Sequence, residues 1–169
     1  MRRPASSANR CSRSRSRSRP SRTRPRASLA SSLLGRCFTA ASSAVCAAAI
    51  GPAFSGLEEA KADITGLFGL DWLIKHGALP ESRRNEYYAS HVGGIFRTVR
   101  FGTGEAHARA EIMEFNYFSE KQAISHDAKS GVYVIDFGKM PAAVASLAKE
   151  LLEIEATGDR SRAESWFKH

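Results

Sequence analysis

From Leu57 onward, apolar residues recur at spacings of three and four: Leu57, Ala60, Ile64, Leu67, Phe68 and Trp72. That period predicts an amphipathic helix. It should run to about His76, with Gly77 as its stop and Pro80 opening the next segment. A second helical pattern covers 81–99 and carries Tyr87, Tyr88, Val92, Ile95, Phe96 and Val99. Gly93 and Gly94 lie inside it. Each costs about 1 kcal/mol against Ala, so close packing or a kink is expected there. A third helix is expected over 105–122, through Ile112, Met113, Phe115 and Tyr117.

Residues 124–131 are polar and end in Gly131, and the next six, Val-Tyr-Val-Ile-Asp-Phe over 132–137, are rich in β-branched and aromatic types. This predicts a strand. A single strand is not stable, so its partner lies near Ile124 or is missing from the chain. Pro141 opens a strong helix to about Ala156, with Val144, Leu147, Ala148, Leu151, Leu152 and Ile154 on its apolar side. Gly158 ends it, and Ser161-x-x-Glu164 matches a capping box for a short final helix. The fold class is therefore mainly α, with a minor α+β contribution from one short strand or hairpin.

Upstream the texture is different. Residues 12–19 read Ser-Arg four times, and Pro20, Pro25 and further Arg follow. Such a segment cannot bury apolar surface against its own repulsion, so 1–56 is expected to be a disordered leader and 57–169 the folded unit. An Arg- and Ser-rich, acid-free composition fits an organelle transit peptide, which would send the protein to a mitochondrion or plastid rather than leave it cytoplasmic. It also fits non-specific contact with RNA phosphate. A secretory signal fits less well, because its only apolar stretch, 44–50, is mostly Ala and far from the N-terminus. A segment under no selection for folding has the same look.

Charge sharpens this division. The 169 residues carry 25 Lys+Arg and 17 Asp+Glu, a net +8, but 11 Arg and no acid lie before residue 58. The remaining 112 residues therefore stand at −3 and hold all five histidines. The folded part has no basic excess to suggest nucleic acid as a partner. No run of about 18 apolar residues exists, which excludes a spanning helix. All three cysteines precede residue 47, so there is no disulfide framework.

Two strings carry candidate chemistry. In Leu57-Glu58-Glu59-Ala60-Lys61-Ala62-Asp63, Glu59 and Asp63 are four apart and share a helical face. Such an acidic pair suits a solvated first turn, or a metal site in which one acid ligates and another orients a histidine. In Arg97-x-x-Arg100-Phe101-Gly102-Thr103-Gly104-Glu105-Ala106-His107-Ala108-Arg109, a histidine and several arginines meet a glycine-bracketed helix start. That arrangement suits an anionic group or a developing oxyanion, or a plain surface histidine.

Taken together, Glu-Glu-x-x-Ala-Asp with Ile-Thr-Gly-Leu, and Phe-Arg-x-x-Arg-Phe-Gly-x-x-Glu-Ala-His some forty residues on, resemble the dipeptidyl-peptidase III-like zinc metallopeptidases. The resemblance is to the C-terminal catalytic part of their bacterial and plant-type branch, which in plants is sometimes fused behind a Nudix domain. It implies an enzyme that removes dipeptides from peptide N-termini with a zinc-activated water. Glu59 would be the third protein ligand of zinc, and Glu58 and Asp63 would orient the two histidine ligands. His107 would bind the peptide substrate and stabilise the oxyanion, with Arg109 in the same region.

This sequence departs from that pattern in one large respect. It holds no His-Glu-x-x-x-His run, which supplies the family's two zinc histidines and its general base, and no Nudix box. One carboxylate cannot hold a catalytic zinc. The chain is thus expected to be a fragment that alone neither binds zinc tightly nor hydrolyses peptides. Two alternatives stand beside it: a non-catalytic helical module with a basic arm for RNA or a partner, and a fragment of a Nudix-fused hydrolase.

Overall fold

A computed structural model describes residues 40–168. The elements, in order, are α1 (Ala40–Ile50), a 3-10 turn (Gly51–Ala53), α2 (Phe54–Lys75), a 3-10 turn (Glu81–Arg83), α3 (Arg84–Val99), α4 (Ala106–Glu120), β1 (Ile124–Asp127), β2 (Val132–Ile135), α5 (Met140–Thr157) and α6 (Arg160–Trp166). The expected mainly helical class with a small β contribution is the observed one.

Helix α2 is the axis of the molecule. Leu57, Ala60, Ile64 and Leu67, at the spacings noted above, are buried along it. It packs against α5 through Val144, Leu147, Leu151 and Ile154, and against α4 through Ala110, Met113 and Phe118. Each fully buried Leu or Ile here adds about 1.5–3 kcal/mol relative to exposure. α3 packs on α4 with Tyr88, Val92 and Ile95 inward.

The strand partner lies near Ile124. β1 and β2 pair antiparallel, with Ile124 opposite Ile135 and Asp127 opposite Val132. The Asp127 carboxylate closes the turn, accepting from the Lys129 amide and the Ser130 hydroxyl, and Gly131 follows at φ 71°. β2 stops at Ile135, short of Phe137, because Asp136 turns the chain: its Oδ1 accepts from the Gly138 and Lys139 amides.

Three expectations change. The stretch 40–56, assigned to the leader, is helical, and Cys46 and Ile50 are buried in it; residues 1–39 lie outside the described residues. The uncharged, Ala- and Ser-rich composition, with little amphipathic contrast, hid that Ile50 joins the same core as Leu57. Gly93 and Gly94 serve no close approach, since a Cβ at either would meet nothing within 4 Å. The cap of α6 is not Ser161 but Asp159, whose side chain accepts from the Arg162 amide. Asp159 gains this position because Gly158 ends α5 in the left-handed region, φ 64°, and leaves the next residue extended.

Candidate functional site

The second and third turns of α2 face the first turn of α4. Glu59 and Asp63 stand one turn apart on α2, and His107 is the second residue of α4. His107 Nδ1 lies 3.1 Å from Glu59 Oε2, and its Nε2 lies 3.8 Å from Asp63 Oδ2. Forty-eight residues of sequence separate the first pair. A fourth group completes the cluster: Glu111 Oε1 lies 3.5 Å from His107 Nε2. The imidazole thus sits among three carboxylates. The hydrogen bond to Glu59 is the main cause holding its pKa above the ordinary histidine value; partial burial opposes this, and the charges of Asp63 and Glu111 add to the rise. His107 and Glu59 are each about half-exposed, at 47% and 46%, so the cluster opens to solvent.

Behind it the interior is acidic. Glu114, one turn after Glu111 on α4, is fully buried, and burial pushes its carboxyl up to about 7. His91 from α3 opposes that shift, and the negative charges of Asp63 and Glu111 reinforce it.

The other two residues singled out in the sequence stand elsewhere. Glu58 turns to the opposite side of α2, where Lys61 Nζ bridges Glu58 Oε1 at 2.7 Å and Glu155 Oε2 at 2.8 Å. This bridge fixes α2 against α5. Arg109 donates from Nη1 to the Gly104 carbonyl at 2.7 Å and lines a shallow depression with Pro52, Gly56 and Phe167. It does not join the His107 cluster. Glu111 and Glu114 were not singled out in the sequence, although His107 and Glu111 are four apart and so share a helical face. What the sequence did not carry was their burial.

No protein-family model matches the chain. In both fold and sequence the described residues are similar to part of two solved dipeptidyl-peptidase III structures. The dipeptidyl-peptidase III of Caldithrix abyssi superposes with a TM-score of 0.71 at 32% identity, over 73% of this chain and 24% of that one. The enzyme of Corallococcus sp. strain EGB gives 0.67 at 35% identity, over 71% of this chain and 22% of that one. Among curated proteins, Nudix hydrolase 3 of Arabidopsis thaliana is 43% identical over 109 residues, 64% of this chain. The chain spans 14% of that relative's length and under a quarter of either solved chain. Among the described residues no helix is long and apolar enough to cross a membrane.

Proposed function

We propose that this chain supplies one side of the active centre of a zinc-dependent dipeptidyl peptidase, acting on the N-termini of peptides. The observation that carries the reading is the meeting of His107 with Glu59 and Asp63 across two helices. In this reading Glu59 is a zinc ligand and Asp63 steadies a histidine that completes the metal site, while Glu58, paired with Lys61 on the other side of α2, stands apart from it. Arg109, bound to the Gly104 carbonyl, has a structural part at the start of α4.

The donor set present does not fit that catalytic zinc by itself. Such a site takes three protein ligands and an open position. Glu59 has the His107 ring beside it, and the sequence has no His-Glu-x-x-x-His run to supply the other ligands. What this chain's own residues do is position and polarise. His107, its pKa held above the ordinary histidine value chiefly by the hydrogen bond to Glu59, presents a ring N–H donor at an open face. A peptide carbonyl oxygen placed there would gain negative charge as it is attacked, and a pre-oriented hydrogen-bond donor stabilises that charge more than it stabilises the starting carbonyl.

A chimera tests this. Residues 54–167 replace the matching segment of the Caldithrix abyssi enzyme, and release of dipeptidyl arylamide is followed. Activity is expected, with His107→Ala lowering kcat at least tenfold and Glu59→Gln abolishing zinc retention and turnover. A folded, active chimera indifferent to both substitutions would sink the reading.

A further inference from the structure

We infer that the outer edge of β2 pairs with the same edge of a second copy of this chain, joining two hairpins into one antiparallel sheet about a two-fold axis. Among the described residues β1 and β2 form a sheet of two strands. Such a hairpin is marginal unless a helix or a further strand supports it. One face has its helices: the Tyr133 ring lies 5.1 Å from that of Phe96 on α3 and 5.3 Å from that of Phe115 on α4. The outer edge of β2 has no such cover. The Asp136 amide donates to the Ala123 carbonyl, and in the same register Val134 stands opposite Ser125, so Val134 turns its backbone groups toward β1. Alternation along an antiparallel strand then turns those of Tyr133 and Ile135 away from β1. No backbone hydrogen bond outside the ladder takes them up among the described residues.

The side chains indicate what covers this edge. Soluble proteins block open edges with Lys, Pro, a bulge or an inward charge. Val132, Tyr133, Val134 and Ile135 include no such residue, and the first three are about half-exposed. β1 differs, since it holds His126 and Asp127 and packs on α4. An uncharged strand is complementary to itself. Set antiparallel with Val134 opposite its own counterpart, Tyr133 falls opposite the counterpart of Ile135. The outward N–H and C=O groups of both residues then find partners in both copies. No like charges meet, and Val132 comes beside the counterpart of Asp136. The exposed parts of Val132, Tyr133 and Val134 amount to about 250 Å² per copy. That is well below the roughly 800 Å² per partner of a standard interface, so the dimer is a weak and reversible one.

The edge lies away from the His107 cluster, because Phe115 stands about 12 Å further along α4 than His107. The inference therefore does not depend on the peptidase reading. The test follows the full chain by sedimentation velocity over a wide concentration range, with reductant present and in high salt, which screens the Arg-rich segment. A concentration-dependent dimer is expected, and amide exchange at Tyr133 and Ile135 should slow as the dimer fills. Val134→Lys sets two ammonium groups face to face on the axis and should weaken association about tenfold or more. Val132→Lys brings its charge beside the counterpart of Asp136 and should leave association within about threefold. Trp72→Ser, on the exposed side of α2, should leave it unchanged. All three positions are exposed, and far-UV circular dichroism confirms that each variant folds. A chain that stays monomeric at every concentration overturns the inference. So does a dimer in which the Tyr133 and Ile135 amides exchange as fast as in the monomer, or one that Val134→Lys leaves intact.

Discussion

Glu114 Oε2 lies 3.1 Å from His91 Nε2, inside a helical interface where the Glu114 side chain has no solvent exposure. The approach is one of charge rather than a well-directed hydrogen bond, so neither carboxylate oxygen has a hydrogen-bond partner among the described residues. Burial disfavours the ionised form and raises the folded pKa to about 7 from an ordinary 4.5. A raised acid favours folding while it is protonated. That contribution is fully present below about pH 4.5 and is lost as pH rises through about 7. The shift corresponds to about 3 kcal/mol at most. Urea midpoints measured from pH 4.5 to 8.5 should fall across that window, and Glu114→Gln should flatten the fall. An unchanged slope in the variant would mean that another group titrates.

Two glycines should respond in opposite directions. Gly158 is left-handed at φ 64°, and a Cβ there would come 3.1 Å from the Ala49 Cβ. Gly158→Ala should cost about 1 kcal/mol or more, because the substitution strains the backbone and crowds α1. Gly93 lies within α3, with open space where the first carbon of a side chain would stand. Gly93→Ala should stabilise by about 0.5–1 kcal/mol. Thermal denaturation of both variants decides, and a destabilised Gly93→Ala would show that its backbone is under a constraint the fold does not reveal.

Periodicity made the helices legible because each buries a single stripe. α2 and α5 show this best, since Leu57, Ala60 and Ile64 are buried in one core with Leu147 and Leu151, at the three-and-four spacing of each helix. The hairpin was half legible: Val132 to Ile135 announced itself by composition, while Ile124 to Asp127 offered only one buried residue in four. α1 was missed because its Ala and Ser surroundings give little amphipathic contrast, and Ile50 is buried by residues distant in sequence. At the site, Glu59, Asp63 and His107 were legible as residue types at suggestive spacing. Glu111 and Glu114 were not, since an acid on a helix is read as solvent-facing until the neighbouring helix is known to cover it.

The start of α6 offers a clean comparison of two caps. Asp159 Oδ1 accepts from the Arg162 amide at 3.0 Å, whereas Ser161 lies within the helix. Asp159→Ala should therefore cost about 1 kcal/mol, and Ser161→Ala should be close to neutral. Equal losses would restore Ser161 as the cap. The outcome bears on more than one turn, because Ala163 and Trp166 of α6 are buried in the main core.

The Lys61 bridge ties the orientation of α2, and hence of Glu59, to α5. The Lys61 side chain is 24% exposed and meets a Glu155 side chain only 8% exposed. Removing the cation leaves a largely buried carboxylate without its main counter-charge, a loss of about 3 kcal/mol for a pair of this kind. Lys61→Met should show that loss in chemical denaturation, and Lys61→Met with Glu155→Gln should recover more than half of it. The exposed pair Lys149–Glu153 serves as the contrast: it is 3.8 Å apart and its lysine is 76% exposed. Lys149→Ala should change stability by less than about 0.5 kcal/mol. If Lys61→Met were equally silent, Glu155 would be satisfied by other means and the bridge would not be what orients α2. The double variant then separates the two explanations, because it restores stability only if the buried charge of Glu155 was the source of the cost.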